Sequence, residues 1–275
     1  MREDDNRLKG RLMKLVTWNI NSVRIRLHHV QELVEKYNPD VICFQETKVR
    51  DELFPLIDLQ AMGFPHIHFS GEKSYNGVAI LSKTPFSNEQ ALSWCEREDK
   101  RHVSLELEGG IELHNFYIPA GGDEPNAETN PKFAHKLQFL DEMTAWCAGR
   151  VDDGKKRIMV GDFNIAPLET DVWDHKKLKN IITHTQTEID RLDKLQAAGH
   201  WVDAMRMHIL PEEKCFTWWS YRARDWRASN KGRRLDHVWV TPALQDMVKS
   251  CEVLLDLRGL EKPSDHAPVL VELAV

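Results

Sequence analysis

Ile158-Met159-Val160-Gly161-Asp162-Phe163-Asn164 reads as a buried strand that ends in metal- and proton-handling side chains. Three consecutive apolar residues and a glycine deliver Asp162 and Asn164 to the rim of a sheet, where loops open into a site. The arrangement recurs along the chain. Asn19 follows Leu15-Val16-Thr17-Trp18, and Glu46 follows Val41-Ile42-Cys43-Phe44-Gln45. Asp265 and His266 stand in the C-terminal run Pro263-Ser264-Asp265-His266-Ala267-Pro268. Taken singly, each motif has a plain reading: Asp-x-Asn is a common Asx-turn, and a lone Glu after a strand is a solvated end or a helix cap. Taken together, strand ends that supply Asn, Glu, Asp/Asn and Asp/His make a hard-oxygen cation site with an acid–base histidine beside it. Such a set suits the cleavage of a phosphate ester.

Strand signals surround these ends. Short apolar or alternating runs cover Leu12–Trp18, Val41–Phe44, Gly77–Leu81, His102–Leu107, Ile111–Ile118, Ile158–Val160, Leu235–Val240, Val253–Leu257 and Pro268–Leu273. Gly109-Gly110 marks a hairpin. Helical spacing links Val23, Leu27, Val30, Val34 and Tyr37 before Asn38-Pro39, and again Phe133, Leu137, Leu140 and Cys147 before Gly149. Weaker helices are expected over Asp190–Ala198 and Pro242–Lys249. Nine or ten strands exceed one comfortable sheet and do not alternate strictly with helices. The expected class is therefore α+β, with two stacked, mainly antiparallel β-sheets flanked by helices as a four-layer α/β/β/α sandwich. Residues 12–275 read as one domain, and the charged residues 1–11 as a flexible N-terminal tail.

The bulk numbers exclude several classes. The 275 residues are 41% hydrophobic and 29% charged, as in a soluble globule. No apolar run reaches the roughly 18 residues of a membrane span. The five cysteines, Cys43, Cys95, Cys147, Cys215 and Cys251, form no C-x-x-C pair and read as reduced core residues of a cytoplasmic protein. A net charge of −6 argues against a generic nucleic-acid binder. The basic residues are local instead: Arg222, Arg224, Arg227, Lys231, Arg233 and Arg234 stand against Asp225 alone.

Seven blocks in order resemble the signatures of the exonuclease III family, the AP endonucleases of the endonuclease/exonuclease/phosphatase superfamily. They are Thr17-Trp18-Asn19-Ile20-Asn21, Gln45-Glu46-Thr47-Lys48, Tyr75-Asn76-Gly77-Val78-Ala79-Ile80-Leu81, Asn115-Phe116-Tyr117-Ile118-Pro119, Gly161-Asp162-Phe163-Asn164-Ile165, Arg234-Leu235-Asp236-His237 and Ser264-Asp265-His266-Ala267-Pro268. The resemblance implies Mg²⁺ or Mn²⁺ held by Glu46 with Asn19 and Asp265, and by Asp162 and Asn164 on their strand end. It implies that Asp162 positions or deprotonates the attacking water and that Asn164 donates to a phosphate oxygen. Asp236 then orients His266, which polarises or protonates the phosphate, and Tyr117 assists the phosphate or the leaving oxygen. The implied partner is double-stranded DNA with 3′ ends or abasic sites, acted on by a cytoplasmic, nucleoid-associated monomer with no membrane.

Trp218-Trp219-Ser220-Tyr221-Arg222 has two readings: a strand that buries one tryptophan, or a sugar pocket and stacking wedge beside the phosphate site. The resemblance favours substrate contacts from Trp218, Trp219, Arg222, Arg227, Lys231 and Arg233. Three positions depart from the family pattern. Arg233 replaces a bulky apolar residue, Ala120 stands where Asn is frequent, and Ser22 where Gly is usual. The segment 171–187 resembles the family little, and its lysines Lys176, Lys177 and Lys179 read as a solvated helix face. The reaction implied is 3′-to-5′ exonuclease, 3′-phosphatase and abasic-site incision in base excision repair. The rivals are a superfamily phosphatase acting on lipid head groups or small phosphates, and a non-catalytic DNA-binding module.

Overall fold

Strand β1, Leu12–Asn19, feeds two layers of core at once: Met13 and Leu15 pack into one, Val16 and Trp18 into the other. That alternation is the period of two of an extended chain, and it is repeated across a computed structural model describing residues 12–151 and 153–275. The tail expected over residues 1–11 lies outside the described residues. The remaining strands are β2 Val41–Gln45, β3 His66–Glu72, β4 Tyr75–Ser82, β5 Ser87–Gln90, β6 His102–Leu107, β7 Ile111–Tyr117 and β8 Lys156–Asp162. After them come β9 Val202–Asp203, β10 Trp218–Trp219, β11 Gly232–Arg233, β12 Asp236–Val240, β13 Val248–Val253 and β14 Val269–Ala274. The helices are α1 Leu27–Tyr37, α2 Leu56–Ala61, α3 Pro131–Ala148, α4 His175–Leu178, α5 Gln186–Ala198, α6 Ala204–His208, α7 Trp226–Ser229 and α8 Pro242–Gln245.

Two six-stranded sheets result, ordered β13-β14-β1-β2-β4-β3 and β5-β6-β7-β8-β12-β9. Only β1–β2 and β7–β8 run parallel among the described pairings. Leu15, Cys43, Val78, Leu113, Val160 and Val238 fill the layer between the sheets. Trp18, Phe44, Val30 and Leu33 join α1 to the outside of the first sheet, and Phe116, Met159, Leu140 and Leu192 join α3 and α5 to the outside of the second. This is the expected four-layer sandwich. Local signals stop the helices where the sequence predicts: Asn38, in the left-handed region, caps α1 by donating to the Val34 carbonyl. Thr185 and Glu188 form a capping box on α5.

The inner layer changes character along its length. Going toward one end, β1 presents Met13, Leu15, Thr17 and Asn19, β2 presents Val41, Cys43 and Gln45, and β8 presents Ile158, Val160 and Asp162. Register fixes the ends against each other: Asn19 lies opposite Gln45, Tyr117 opposite Asp162, and Asp162 opposite Asp236. Beneath this polar end, the Asn115 amide nitrogen donates to the Phe44 and Ala79 carbonyls at 2.9 and 3.0 Å, and its oxygen accepts from Gln45 at 2.7 Å. The bonds stitch the two sheets together. Gly161 permits the close approach of β8 to β7; a Cβ there would stand 1.8 Å from the Phe116 carbonyl oxygen, and its φ is +143°.

Two expectations need correction. The strand expected over Val253–Leu257 lies earlier, at Val248–Val253, and Leu257 opens a short 3₁₀ turn. The helix expected over Pro242–Lys249 is the single turn Pro242–Gln245. The Val253-Leu254-Leu255 run is apolar without alternating, whereas Val248 and Cys251 are buried beside exposed Lys249 and Glu252. The sequence reading also missed β3 and β5, which sit at sheet edges where burial is incomplete. All five cysteines are buried and unpaired, and among the described residues no helix is long and apolar enough to cross a membrane.

Asn115→Ala should destabilise the fold by about 2–4 kcal/mol, because the Phe44 and Ala79 carbonyls and the Gln45 amide lose a buried partner together. Urea unfolding measures this; a change below about 0.5 kcal/mol would mean that the stitch contributes nothing net.

Candidate active site

Asn19 is the hub of the polar end. Its fully buried amide nitrogen donates at 2.9 Å to Glu46 Oε1 and at 2.9 Å to Asp162 Oδ2. One carboxylate comes from each sheet. Glu46 sits just past β2 at φ +51°, and Asn164 just past β8 at φ +54°, left-handed conformations typical of residues held in place for function. Glu46 Oε1 also accepts from the Tyr117 hydroxyl at 2.8 Å, and Lys48 Nζ lies 2.5 Å from Oε2. Burial pushes the Glu46 carboxyl up, but Lys48 and Asn19 outweigh it and hold it below its ordinary value. The Tyr117 phenol keeps its proton far into alkali because burial, Glu46 and Asp162 all oppose a phenolate.

The second half of the site is a relay. His266 Nδ1 lies 2.8 Å from Asp236 Oδ2, and His266 Nε2 faces Asp162 Oδ2 at 3.7 Å. Three hooks place the imidazole. Ser264 Oγ donates to the Asn19 carbonyl, the His266 N–H donates to Ser264 Oγ, and Trp18 Nε1 donates to the His266 carbonyl. Thr217 Oγ1 accepts from the Leu235 and Asp236 amides and fixes the start of β12. Burial disfavours the imidazolium, but Asp236 and Asp162 overcome it and raise the His266 pKa. Asp162 is raised to about 7, by burial first and by its carboxylate neighbours Asp236 and Glu46, against His266 and Asn19.

A hard divalent cation fits this donor set. Asp162, Asp236 and His266 bring ligand atoms within 4.8 Å of one another, but Asp236 and His266 already bind each other. The oxygen face is better made by Glu46 and Asp162 across Asn19. Asp236 Oδ1 is buried and has no hydrogen-bond partner among the described residues. Crowded carboxylates that raise one another's pKa are relieved by positive charge.

The remaining predicted residues separate. Asp265 lies outside the inner group: Oδ1 accepts from Asn21 and Oδ2 from Trp218 Nε1. Asn164 turns one amide hydrogen to the Ile118 carbonyl and its backbone N–H to Asp162 Oδ1. Trp218 pairs with His266 in a short antiparallel bridge, held by the Trp219 amide on the Asp265 carbonyl and the Ala267 amide on the Thr217 carbonyl, and lines an adjoining cavity of about 690 Å³ with Arg222, Lys231 and Arg233. Trp219, expected as a substrate contact, points the other way into a small core with Phe216 and Ala267, as successive strand residues must. Arg227, also expected there, lies over the Trp226 ring and does not line the cavity. Arg233 is not laid out along the surface. Its Nη1 donates to the Ile182 carbonyl and Thr183 Oγ1, and the guanidinium stands over Trp218 at 5.4 Å. The sequence reading missed Ile181, Ile182 and Thr183 of the opposite wall; no apolar periodicity or motif marks them. It also gave no role to Lys48, although the Gln45-Glu46-Thr47-Lys48 block contains it.

The endonuclease/exonuclease/phosphatase family matches residues 16–266. Exodeoxyribonuclease III of Haemophilus influenzae is 31% identical, over 94% of this chain and 99% of that protein. An AP endonuclease from Archaeoglobus fulgidus superposes with a TM-score of 0.88 at 32% identity, covering 96% of this chain and all (100%) of the other. The 3′ phosphatase NExo from Neisseria, bound to a product DNA hairpin, gives 0.87 at 33% identity, with 95% and 99% covered.

In the metal-free protein the raised His266 keeps its proton above the ordinary imidazole range. The stability it adds is complete below the unfolded value and is lost as pH rises through the folded one. Asp236→Asn should move the His266 titration downward, followed by NMR of the ring nitrogens. An unmoved midpoint would show that Asp236 does not support the imidazolium.

Proposed function

The chain belongs to the endonuclease/exonuclease/phosphatase family, with relatives among its exonuclease III and AP endonuclease members, and from that premise we propose a metal-dependent DNA phosphodiesterase that trims 3′ ends and incises beside abasic sites. One observation carries the choice of substrate. The cavity lined by Trp218, Arg222, Lys231 and Arg233 adjoins the carboxylate–imidazole site through the Trp218–His266 bridge. An aromatic face ringed by cations suits a nucleotide drawn out of a duplex or frayed from its end. A phosphatase for small phosphates needs no such wall.

Glu46 and Asp162, bridged by Asn19, would hold Mg²⁺ or Mn²⁺, and the bound ion would neutralise charge on the phosphate oxygens. Asp162, whose Oδ2 faces His266 Nε2 across 3.7 Å, accepts the proton of the attacking water. His266, kept charged by Asp236, donates toward the phosphate or the leaving oxygen. Asn164 has one amide hydrogen left for a non-bridging oxygen as negative charge develops there. Tyr117, still protonated, donates to Glu46 and holds it in place. One chain supplies every group, so a monomer suffices, and five buried, unpaired cysteines fit the reducing cytoplasm where the DNA is.

Excess EDTA should abolish cleavage of labelled duplexes and Mg²⁺ should restore it, while Glu46→Gln should need far more metal for half-maximal rate. Full activity in EDTA would remove the ion from the reaction. On duplexes carrying an abasic analogue, a 3′-phosphate or a recessed 3′ end, Arg233→Leu should raise the ratio of abasic to 3′-terminal cleavage severalfold. The guanidinium resists apolar desolvation and keeps this pocket polar. A fixed or falling ratio would reduce Arg233 to a wall contact without influence on substrate choice.

A further inference from the structure

Lys136 of α3 has 0% of its side chain exposed, and so has its partner Glu188 of α5, 2.5 Å away. Buried ion pairs are weak evidence for stability, because desolvation consumes most of the attraction. What this pair touches is more informative. Lys136 Nζ donates to the Asn164 carbonyl at 2.7 Å and to the Ala120 carbonyl at 3.4 Å, so its three hydrogens have three acceptors. Asn164 ends the turn that holds Asp162, and Ala120 lines the cavity.

Glu188 reaches the opposite wall. Its carboxylate accepts from the Thr183 amide at 3.0 Å, the Thr185 amide at 3.1 Å and the Thr185 hydroxyl at 2.7 Å. Thr183 is held at φ +86°, which is costly for a β-branched residue. From there Thr183 Oγ1 accepts from Arg233 Nη1 at 2.6 Å. Glu188 is also the opposite charge that counters the burial of both Lys136 and Arg233. A continuous run of charge-assisted bonds therefore joins the Asp162–Asn164 turn to the wall that carries Arg233.

We propose that Lys136 and Glu188 are positioning residues that lock the catalytic turn and the substrate-cavity wall into one geometry, so that cavity shape and reaction rate are set together. Neither residue touches substrate in this reading, which rests on the nuclease assignment above. Losing the lock lets the Asn164 carbonyl and the Thr183 backbone relax independently. Misplacement by about 1 Å costs on the order of 100-fold in rate.

The test is the charge-neutral double variant Lys136→Met/Glu188→Met, because removing both partners avoids an uncompensated buried charge. Unfolding is measured alongside steady-state kinetics on abasic and recessed 3′-end duplexes. With the fold retained, kcat should fall roughly 10–100-fold while KM changes little, and the ratio between the two substrates should shift. A merely structural pair would lower stability and leave kcat and the ratio unchanged, and that result overturns the proposal. If that variant does not fold, Lys136→Gln/Glu188→Gln, which removes both charges and keeps polar side chains of similar length, is read by the same split. Wild-type protein on the same duplexes separates the two inferences: no wild-type cleavage sinks the nuclease assignment, whereas normal wild-type cleavage with an unaffected variant sinks only the positioning role.

Discussion

A single amide nitrogen holds two carboxylates from different sheets. Asn19 Nδ2 donates equally, at 2.9 Å, to Glu46 and to Asp162, and without it the two acids would repel each other. The bond to Asp162 is possible because Asn19 and Asp162 occupy inward positions at the ends of their strands, while Glu46 reaches Asn19 from the left-handed turn just past β2. Period-two alternation makes Leu15, Thr17 and Asn19 share one face, and the same parity sends Val160 and Asp162 to meet them. The inner core and the site are thus one layer, apolar along most of its length and charged at its end. A shift of one residue in β1 or β8 would turn the whole polar set outward.

Electrostatic balance inside that layer explains why an acidic protein can hold a phosphate reaction. Glu46, Asp162 and Asp236 are opposed by Lys48 and a protonated His266. Cations for the substrate stand apart, at Arg222, Lys231 and Arg233 along the cavity. Arg234 is a buried charge of another kind: it pairs with Asp171 and Asp203, which fastens the 171–187 segment to the start of β12. Net charge says little here, because the two signs occupy different places.

The sequence made the two sheets and the acid–base set legible because both depend on short apolar runs that end in polar residues. Asp162, Asp236, His266, Asn19 and Glu46 are read at strand ends and found at one end of one layer. The edges were less legible. Strand β5 is exposed along its length, so no apolar run marks it. Trp218 and Trp219 were separable only in principle, since parity assigns them to opposite faces without saying which face is wet. The sequence reading gave Glu188 no role and began its helix only at Asp190, and the tie to Lys136, 52 positions earlier in sequence by their numbering, is visible only in three dimensions.

The cysteines offer an experimental handle. Burial pushes the thiols of Cys43, Cys95, Cys147, Cys215 and Cys251 up, leaving little thiolate at neutral pH. The native chain is therefore a quiet background for thiol chemistry. A cysteine introduced at an exposed cavity position such as Arg222 would be the one that reacts, so a fluorophore or a disulfide tether to a modified oligonucleotide can be installed without first stripping the core of its own sulfur.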